Sequence, residues 1–79
     1  MTTRGYLLIE TELGKTKEAV AAIRKLPGVV SVDVVTGSYD AIATIQVKTL
    51  DEVGELVMGR IHAIDEVSRI VTCIAIGHP

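Results

Sequence analysis

VVSVDVVTGSYDAIATIQVK, residues 29–48, is the stretch that decides the fold. Residues 29–35 are rich in valine, a strong strand former, with polar side chains interleaved. After the turn around Gly37, almost every second residue from Ala41 to Lys48 is apolar. Two such runs joined by a short glycine-containing turn predict a β-hairpin, so we expect two antiparallel strands here.

A strand and a helix are predicted ahead of this hairpin. Tyr6 to Glu12 is rich in strand formers and ends before Gly14. Between Lys15 and Leu26 apolar residues recur at the spacing of one helical face, and Pro27-Gly28 ends the helix. The expected buried face consists of Ala19, Ala22, Ile23 and Leu26.

A second helix and a last strand follow the hairpin. Thr49-Leu50-Asp51-Glu52 has the pattern of a capping box, in which the Thr49 hydroxyl and the Glu52 side chain each accept a backbone N–H of the other residue. Asp65-Glu66 opens the turn into a strand over Ser68 to Ile76. The expected apolar face of this helix consists of Val53, Leu56, Val57, Ile61 and Ile64.

The order strand, helix, strand, strand, helix, strand predicts an α+β, ferredoxin-like βαββαβ fold. Right-handed crossovers place both helices on one face of a four-stranded antiparallel sheet. We find no linker or low-complexity stretch, and therefore expect a single domain over residues 1–79.

The second face of this sheet is expected to need a partner. In the last strand Ile70, Thr72, Ile74 and Ile76 alternate with Val71, Cys73 and Ala75, so neither face is polar. A domain of 79 residues hides only roughly 60% of its unfolded surface, although 48% of its residues are apolar. A homodimer through the uncovered face is the simplest prediction.

Charge and cysteine content exclude several classes of protein. Eight Lys and Arg against ten Asp and Glu leave a net charge of −2, and the basic residues are scattered along the chain. Phosphate neutralisation needs clustered cations, so we expect no direct contact with nucleic acid. The amino terminus soon becomes charged, which predicts neither a signal peptide nor a membrane span. Cys73 is the single cysteine, and a reducing, cytoplasmic location is the expectation.

Catalytic and metal-binding groups are sparse. His62 and His78 are the two imidazoles, and a zinc site needs further ligands at suitable spacing. Cys73 lies among Ile, Val and Ala, where a thiol usually acts as a small hydrophobe. We expect no metal, no cofactor and no catalysis. The alternative of a small dimeric ferredoxin-like enzyme requires a proton-transfer residue inside a cavity, for which His62 is the candidate.

The turn Thr36-Gly37-Ser38-Tyr39-Asp40 is the polar constellation that suits a ligand. Gly37 permits a positive φ, so that consecutive backbone N–H groups can converge on a carboxylate. Asp40 can pair with an ammonium group, and the two together fit a zwitterion. A purely structural interpretation stands beside this one, because Gly and Asp are ordinary turn residues and Tyr39 can cover the edge of the core.

Gly37-Ser38-Tyr39-Asp40 resembles the glycine–any–tyrosine–aspartate loop of the effector (RAM) domain in the Lrp/AsnC family of transcription regulators. Leu26-Pro27-Gly28-Val29 is similar to the family's link before the second strand. Arg69 and Thr72 lie in a last strand that resembles the family's arginine- and threonine-bearing final strand. The resemblance covers nearly the whole chain.

This resemblance implies a non-catalytic domain that binds a free amino acid as effector and forms homodimers, which assemble further into an octamer or decamer. By position, Gly37, Ser38, Tyr39 and Asp40 would hold the ligand, and Thr72 would contribute; Arg69 is assigned a structural role. Typical members carry a helix-turn-helix ahead of this domain, which is not expected here. Co-assembly with full-length regulators of the family would then provide DNA binding.

An ACT-type regulatory domain is the closest alternative. It has the same order of strands and helices and also binds amino acids. Its ligand usually meets the loop after the first strand, which here is Glu12-Leu13-Gly14-Lys15.

Overall fold

The computed structural model describes residues 2–77. Its elements follow the expected βαββαβ order, and the second helix continues into a π-helical segment. The bounds are β1 Thr3–Thr11, α1 Thr16–Arg24, β2 Val29–Val34, β3 Ala41–Val47, α2 Leu50–Gly54, the π-helical segment Glu55–Ile61, and β4 Val67–Ile74.

The four strands form one antiparallel sheet in the order β2-β3-β1-β4. The central strand β1 pairs with β3 on one side, where Leu7 lies opposite Ala43, and with β4 on the other, where Leu7 lies opposite Thr72. This is the ferredoxin-like arrangement, and the predicted fold class is confirmed.

The core lies between the helices and one face of the sheet. Leu7 and Ile9 of β1 alternate with outward-facing neighbours, and both have no exposed surface. Full burial of an aliphatic side chain of this size contributes about 1.5–3 kcal/mol. The strands and helices together contribute the buried cluster of Leu7, Ile9, Val20, Ile23, Val32, Ala41, Ala43, Ile45, Val53, Leu56, Val57 and Ile61.

The opposite face of the sheet carries a patch of partly exposed apolar side chains. Its central row runs across three strands from Ile42 through Leu8 to Val71, and the next row runs through Tyr6, which is 37% exposed. We call this surface the open-face patch; it consists of Tyr6, Leu8, Ile42, Thr44, Val71 and Cys73. The predicted uncovered, largely apolar face is therefore present.

Helix α1 is shorter than the predicted span of Lys15 to Leu26 and is rotated slightly from its predicted face. Ala19 and Ile23 are fully buried as expected, but Val20 is buried beside them, whereas Ala22 is only half-buried. Val20 lies three residues before Ile23, so it fits the spacing of the same helical face, although the predicted set did not include it.

Helix α2 begins at the predicted capping box. The backbone N–H of Glu52 donates to the Thr49 hydroxyl at 3.2 Å. The Glu52 carboxylate, however, accepts from the backbone N–H of Lys48 at 2.9 Å, one residue before the expected donor. The expected reciprocal bond to the Thr49 N–H was thus wrong by one residue.

The π-helical segment was not predicted. It extends α2 over Glu55–Ile61 and ends with a bond from the His62 N–H to the Val57 carbonyl at 3.0 Å. Gly54 and Gly59 lower the α-helical propensity of this stretch by about 1 kcal/mol each relative to alanine. The wider turn still buries Leu56, Val57 and Ile61, as the sequence indicated.

Replacing Thr49 by alanine should lower the free energy of unfolding by about 1 kcal/mol, because the N–H of Glu52 loses its acceptor. For a domain of this size that corresponds to a fall in Tm of about 4–8 °C. Thermal unfolding followed by circular dichroism measures the change. Thr3→Ala is the control, since it removes a threonine that lies in β1 and does not cap a helix. Equal losses of Tm in the two variants would show that the cap contributes nothing.

Strands β1 and β4 differ from their predicted bounds. β1 begins at Thr3 rather than Tyr6, because Thr3 and Arg4 pair with the end of β3 and Gly5 lies close to β4. A Cβ at Gly5 would lie 3.0 Å from the carbonyl oxygen of Cys73, so glycine permits this close approach. β4 runs from Val67 to Ile74 rather than from Ser68 to Ile76.

The helices of residues 2–77 are all too short for a membrane crossing.

Candidate ligand-binding site

The turn singled out in the sequence connects β2 to β3 and lies at the edge of the sheet where β1 ends. Gly37 adopts φ 115°, in the range that favours glycine, as expected from its place in the turn. The N–H of Val35 donates to the Asp40 carbonyl at 3.0 Å and closes the turn. Gly37 and Ser38 are exposed, whereas Tyr39 and Asp40 are half-buried.

Asp40 anchors this turn to the central strand. Its backbone N–H donates to the Ile9 carbonyl at 2.8 Å. Its Oδ2 atom accepts the backbone N–H of Thr11 at 2.8 Å and the Thr11 hydroxyl at 3.2 Å. Sequence reasoning assigned Asp40 to a ligand and did not identify this structural role, which depends on the end of β1 lying beside the turn.

Both side-chain bonds of Asp40 reach the same carboxylate oxygen. Within residues 2–77, Oδ1 receives no hydrogen bond from the protein. The anchored carboxylate therefore keeps one oxygen for a further donor, while the turn presents backbone groups of Gly37 and Ser38 at the surface. Such a pair of opposite polarities can hold a zwitterion.

Thr72 does not join this turn within one chain. It lies opposite Leu7 on β4 and is therefore on the side of the sheet that faces the helices, although it is exposed there. β1 separates β4 from β3, which places the two strands about 10 Å apart. Along the sheet, Thr72 pairs with Leu7, which lies four residues before the Thr11 that bonds to Asp40, or about 13 Å away. Sequence alone does not reveal this register.

Arg69, which was assigned a structural role, forms an ion pair with Glu10 across β1 and β4 at 3.5 Å. The Arg69 side chain is 66% exposed, so solvent screens the pair and its contribution to stability is small.

Open surface cavities formed by residues within 2–77 lie at both ends of the sheet. One, of about 420 Å³, lies beside the candidate turn and is lined by Glu12, Leu13, Lys15, Asp65 and Glu66. It contains the loop that an ACT-type domain would use. The other, of about 330 Å³, is lined mainly by the Pro27-Gly28 link, the end of β3 and the side chains of Glu52, Glu55 and Arg60.

Among residues 2–77, the candidate metal and catalytic side chains do not form a cluster. Within residues 2–77 no three His, Cys, Asp or Glu side chains are arranged to hold a metal ion. His62 is exposed at the end of the π-helical segment and lines neither cavity. Cys73, expected to act as a small hydrophobe, is an exposed free thiol in the open-face patch. His78 lies outside the described residues.

The βαββαβ order and the four-stranded antiparallel sheet place the protein in the class of ferredoxin-like α+β domains. The particular family follows from the sequence: residues 4–79 match the model of the Lrp/AsnC ligand-binding domain. The chain belongs to this family, the one that its turn, link and last strand resemble, and not to the ACT-type alternative.

Known relatives agree with this assignment. An HTH-type transcriptional regulator of Pyrococcus furiosus is 32% identical over 76 residues, which are 92% of this chain and 51% of that protein. The chain therefore spans about half the length of the curated relatives that it matches.

Solved structures share the fold along nearly the whole chain. A protein of Thermus thermophilus is 29% identical, with a TM-score of 0.92 and coverage of 98% of both chains. A transcriptional regulator of Neisseria meningitidis, solved as an L-Met complex, is 16% identical with a TM-score of 0.86, covering 95% of this chain and 50% of that one. At this identity the second likeness concerns the fold alone.

Proposed function

We propose that this domain is a non-catalytic sensor that binds a free amino acid at the Gly37–Asp40 turn. The observation that carries the proposal is the anchored carboxylate of Asp40, whose Oδ1 has no protein donor within residues 2–77, beside the exposed turn at Gly37. Membership of the Lrp/AsnC ligand-binding family supports a binding role over a reaction.

The chemistry of the turn matches the two charged ends of an amino acid. Backbone N–H groups around Gly37 and Ser38 lie at the surface and can donate to the ligand carboxylate. Asp40 Oδ1 can accept from the ligand ammonium group, and hydrogen bonds to charged groups are worth about 1.5–3 kcal/mol each. The half-buried ring of Tyr39 lies between Ser38 and Asp40 in the chain, where it can shield the pair from water and strengthen it.

The L-Met complex of the Neisseria regulator, which has the same fold, supports an amino acid as the class of ligand. It does not assign methionine to this chain, because side chains that select the ligand differ between proteins with only 16% identity.

We propose that the bound ligand acts by way of the association of subunits. The open-face patch supplies an apolar surface for a homodimer, and a partly exposed apolar sheet face usually marks an interaction site. Thr72 lies on the other face of the sheet, so it would meet an amino acid bound at the turn of a subunit in a neighbouring dimer, since its own turn is too distant. An octamer or decamer built from such dimers would contain these shared sites.

Full-length regulators are the proposed partners of the assembly. The relatives that match are about twice as long as this chain and are HTH-type transcriptional regulators, so a mixed assembly with such proteins would connect the ligand to DNA. A single cysteine, Cys73, leaves no disulfide partner within the chain, which suits the reducing cytoplasm that we propose as its location.

A thermal-shift panel of the twenty common L-amino acids tests the proposal. One or a few of them should raise Tm, because a ligand at a hundred times its Kd adds about 2.7 kcal/mol to the free energy of unfolding. For a domain of this size that is a rise of about 10–20 °C. No shift with any amino acid at millimolar concentration would contradict the proposed function.

Replacing Asp40 by asparagine should weaken the binding of the amino acid with the highest affinity by about 1.5–3 kcal/mol, which raises its Kd roughly 10- to 150-fold. The asparagine oxygen can still accept the two bonds from Thr11, so the turn should keep its shape while losing the charge that attracts ammonium. Isothermal titration calorimetry of both proteins measures the change. Asp51→Asn, at an exposed position in α2, is the matched control and should bind like the parent. Equal affinity of Asp40→Asn and the parent would show that the carboxylate does not contact the ligand.

A further inference from the structure

Hydrogen bonds between three successive side chains connect the candidate turn to the first residue of α1. The Thr16 hydroxyl lies 2.8 Å from the Thr11 hydroxyl, and the Thr11 hydroxyl lies 3.2 Å from Oδ2 of Asp40. Thr11 lies at the end of β1, five positions before Thr16 in α1, whereas Asp40 in the β2–β3 turn lies 29 positions after Thr11. All three positions are partly buried, so water competes less with these bonds than at an exposed site.

The directions of the hydroxyl protons in these hydrogen bonds follow from the chemistry of the Asp40 carboxylate. An ionised carboxylate can only accept, so the Thr11 proton must point to Asp40. A hydroxyl has one proton, and the oxygen of Thr11 is then left to accept from Thr16. Thr16 therefore orients Thr11, and Thr11 orients Asp40.

Two local features of the backbone accompany these side-chain bonds. The register of β1 against β4 shifts between Glu10 and Thr11, and the Thr11 N–H donates to the Asp40 side chain at 2.8 Å. At the start of α1, Lys15 makes no side-chain cap. The hydroxyl of Thr16 bonds to Thr11 across the gap between helix and strand.

We propose that Thr11 and Thr16 are positioning residues of the amino-acid site, holding Oδ2 of Asp40 so that Oδ1 faces the ammonium group of the ligand. The inference rests on the proposed function, because it assigns these threonines a role in binding and not only in folding. Neither threonine touches the ligand in this scheme. Their effect passes through Asp40.

The scheme predicts graded effects on binding of the L-amino acid that raises Tm most in the panel of twenty. Thr11→Val keeps the β-branched shape and the backbone N–H bond but removes the hydroxyl, and should raise Kd about tenfold. Thr16→Val should raise Kd about threefold, since Thr11 loses only its orienting partner. Thr11→Ser restores the hydroxyl and should bind within about twofold of the parent. Thr3→Val at the other end of β1 is the control.

A double-mutant cycle separates positioning from a general loss of structure. If Thr11 acts through the charge of Asp40, Thr11→Val should change Kd by less than about twofold when Asp40 is already asparagine. A tenfold loss in both backgrounds, or no loss in the parent background, would overturn the inference. Circular dichroism checks the fold of each variant, and Thr16→Val, which leaves both bonds to Asp40 in place, serves if Thr11→Val does not fold.

The outcomes for the two proposals differ. If the parent binds an amino acid and Thr11→Val and Thr16→Val bind it equally well, the positioning role fails while the proposed function stands. If no amino acid binds the parent, the proposed function fails, and the positioning role fails with it.

Discussion

Leu8→Lys should convert the proposed homodimer into a monomer of 8.4 kDa. Leu8 lies at the centre of the open-face patch, between Ile42 on β3 and Val71 on β4. In a symmetric dimer the substitution occurs twice, and each ammonium group would be moved from water into an apolar contact. Burial of an unpaired ion costs several kcal/mol even after relaxation. We therefore expect the dissociation constant to rise by at least about a thousandfold.

Sedimentation velocity at micromolar concentration measures this change directly. Ser31→Lys is the matched control, because Ser31 lies on the same face opposite Thr44 but belongs to the edge strand β2, whose Ser31 and Asp33 on this face are polar and lie outside the patch. It should leave the dimer intact. A parent protein that sediments at 8.4 kDa, or a Leu8→Lys variant that remains a dimer, would show that the open-face patch is not the interface.

Gly28→Ala should produce the largest loss of stability among the substitutions considered, about 3 kcal/mol. Gly28 has φ 92°, and a left-handed conformation costs a non-glycine residue about 1–2 kcal/mol. A Cβ there would also lie 2.8 Å from Cγ1 of Val47, a stiff β-branched side chain, and 3.6 Å from the buried Leu56. Overpacking of this kind costs about 1–3 kcal/mol.

Gly37→Ala separates these two causes. Gly37 also has a positive φ, 115°, but a Cβ there would meet no atom within 4 Å. Only the backbone cost of about 1–2 kcal/mol should remain. Thermal unfolding should show Tm falling by about 12–24 °C for Gly28→Ala and by about 4–16 °C for Gly37→Ala. Equal losses of Tm for the two variants would mean that the Val47 side chain moves aside without a cost in stability.

Local patterns in the sequence predicted the fold because each element has its own signal. The valine-rich run before Gly37 and the alternating apolar residues after it identified the hairpin, and Thr49 with Glu52 identified the start of α2. The π-helical segment was not predicted, because its buried residues also fit the face of an ordinary α-helix. The extension of β1 to Thr3 depends on pairing with Val47, a contact between distant parts of the chain.

The site was harder to predict than the fold because its contacts also join parts of the chain that are distant in sequence. The turn residues and the positive φ at Gly37 follow from local chemistry. The bonds from Thr11 to Asp40 join residues 29 positions apart, and the side of the sheet on which Thr72 lies depends on the register of β4 against β1. The residues that connect the turn to β1 and α1 therefore became visible only when the strands were placed together.

The central claim is that an amino acid binds at the Gly37–Asp40 turn, and its most direct test is a ¹H–¹⁵N correlation spectrum recorded during titration with the best amino acid from the panel. The account predicts saturable shifts of the amides of Gly37, Ser38 and Tyr39, weakened in Asp40→Asn. The competing location is the cavity of about 420 Å³ beside the turn, which Leu13 and Lys15 line. Saturable shifts centred on Leu13, Gly14 and Lys15 with an unchanged turn, or no shifts at all, would contradict the account.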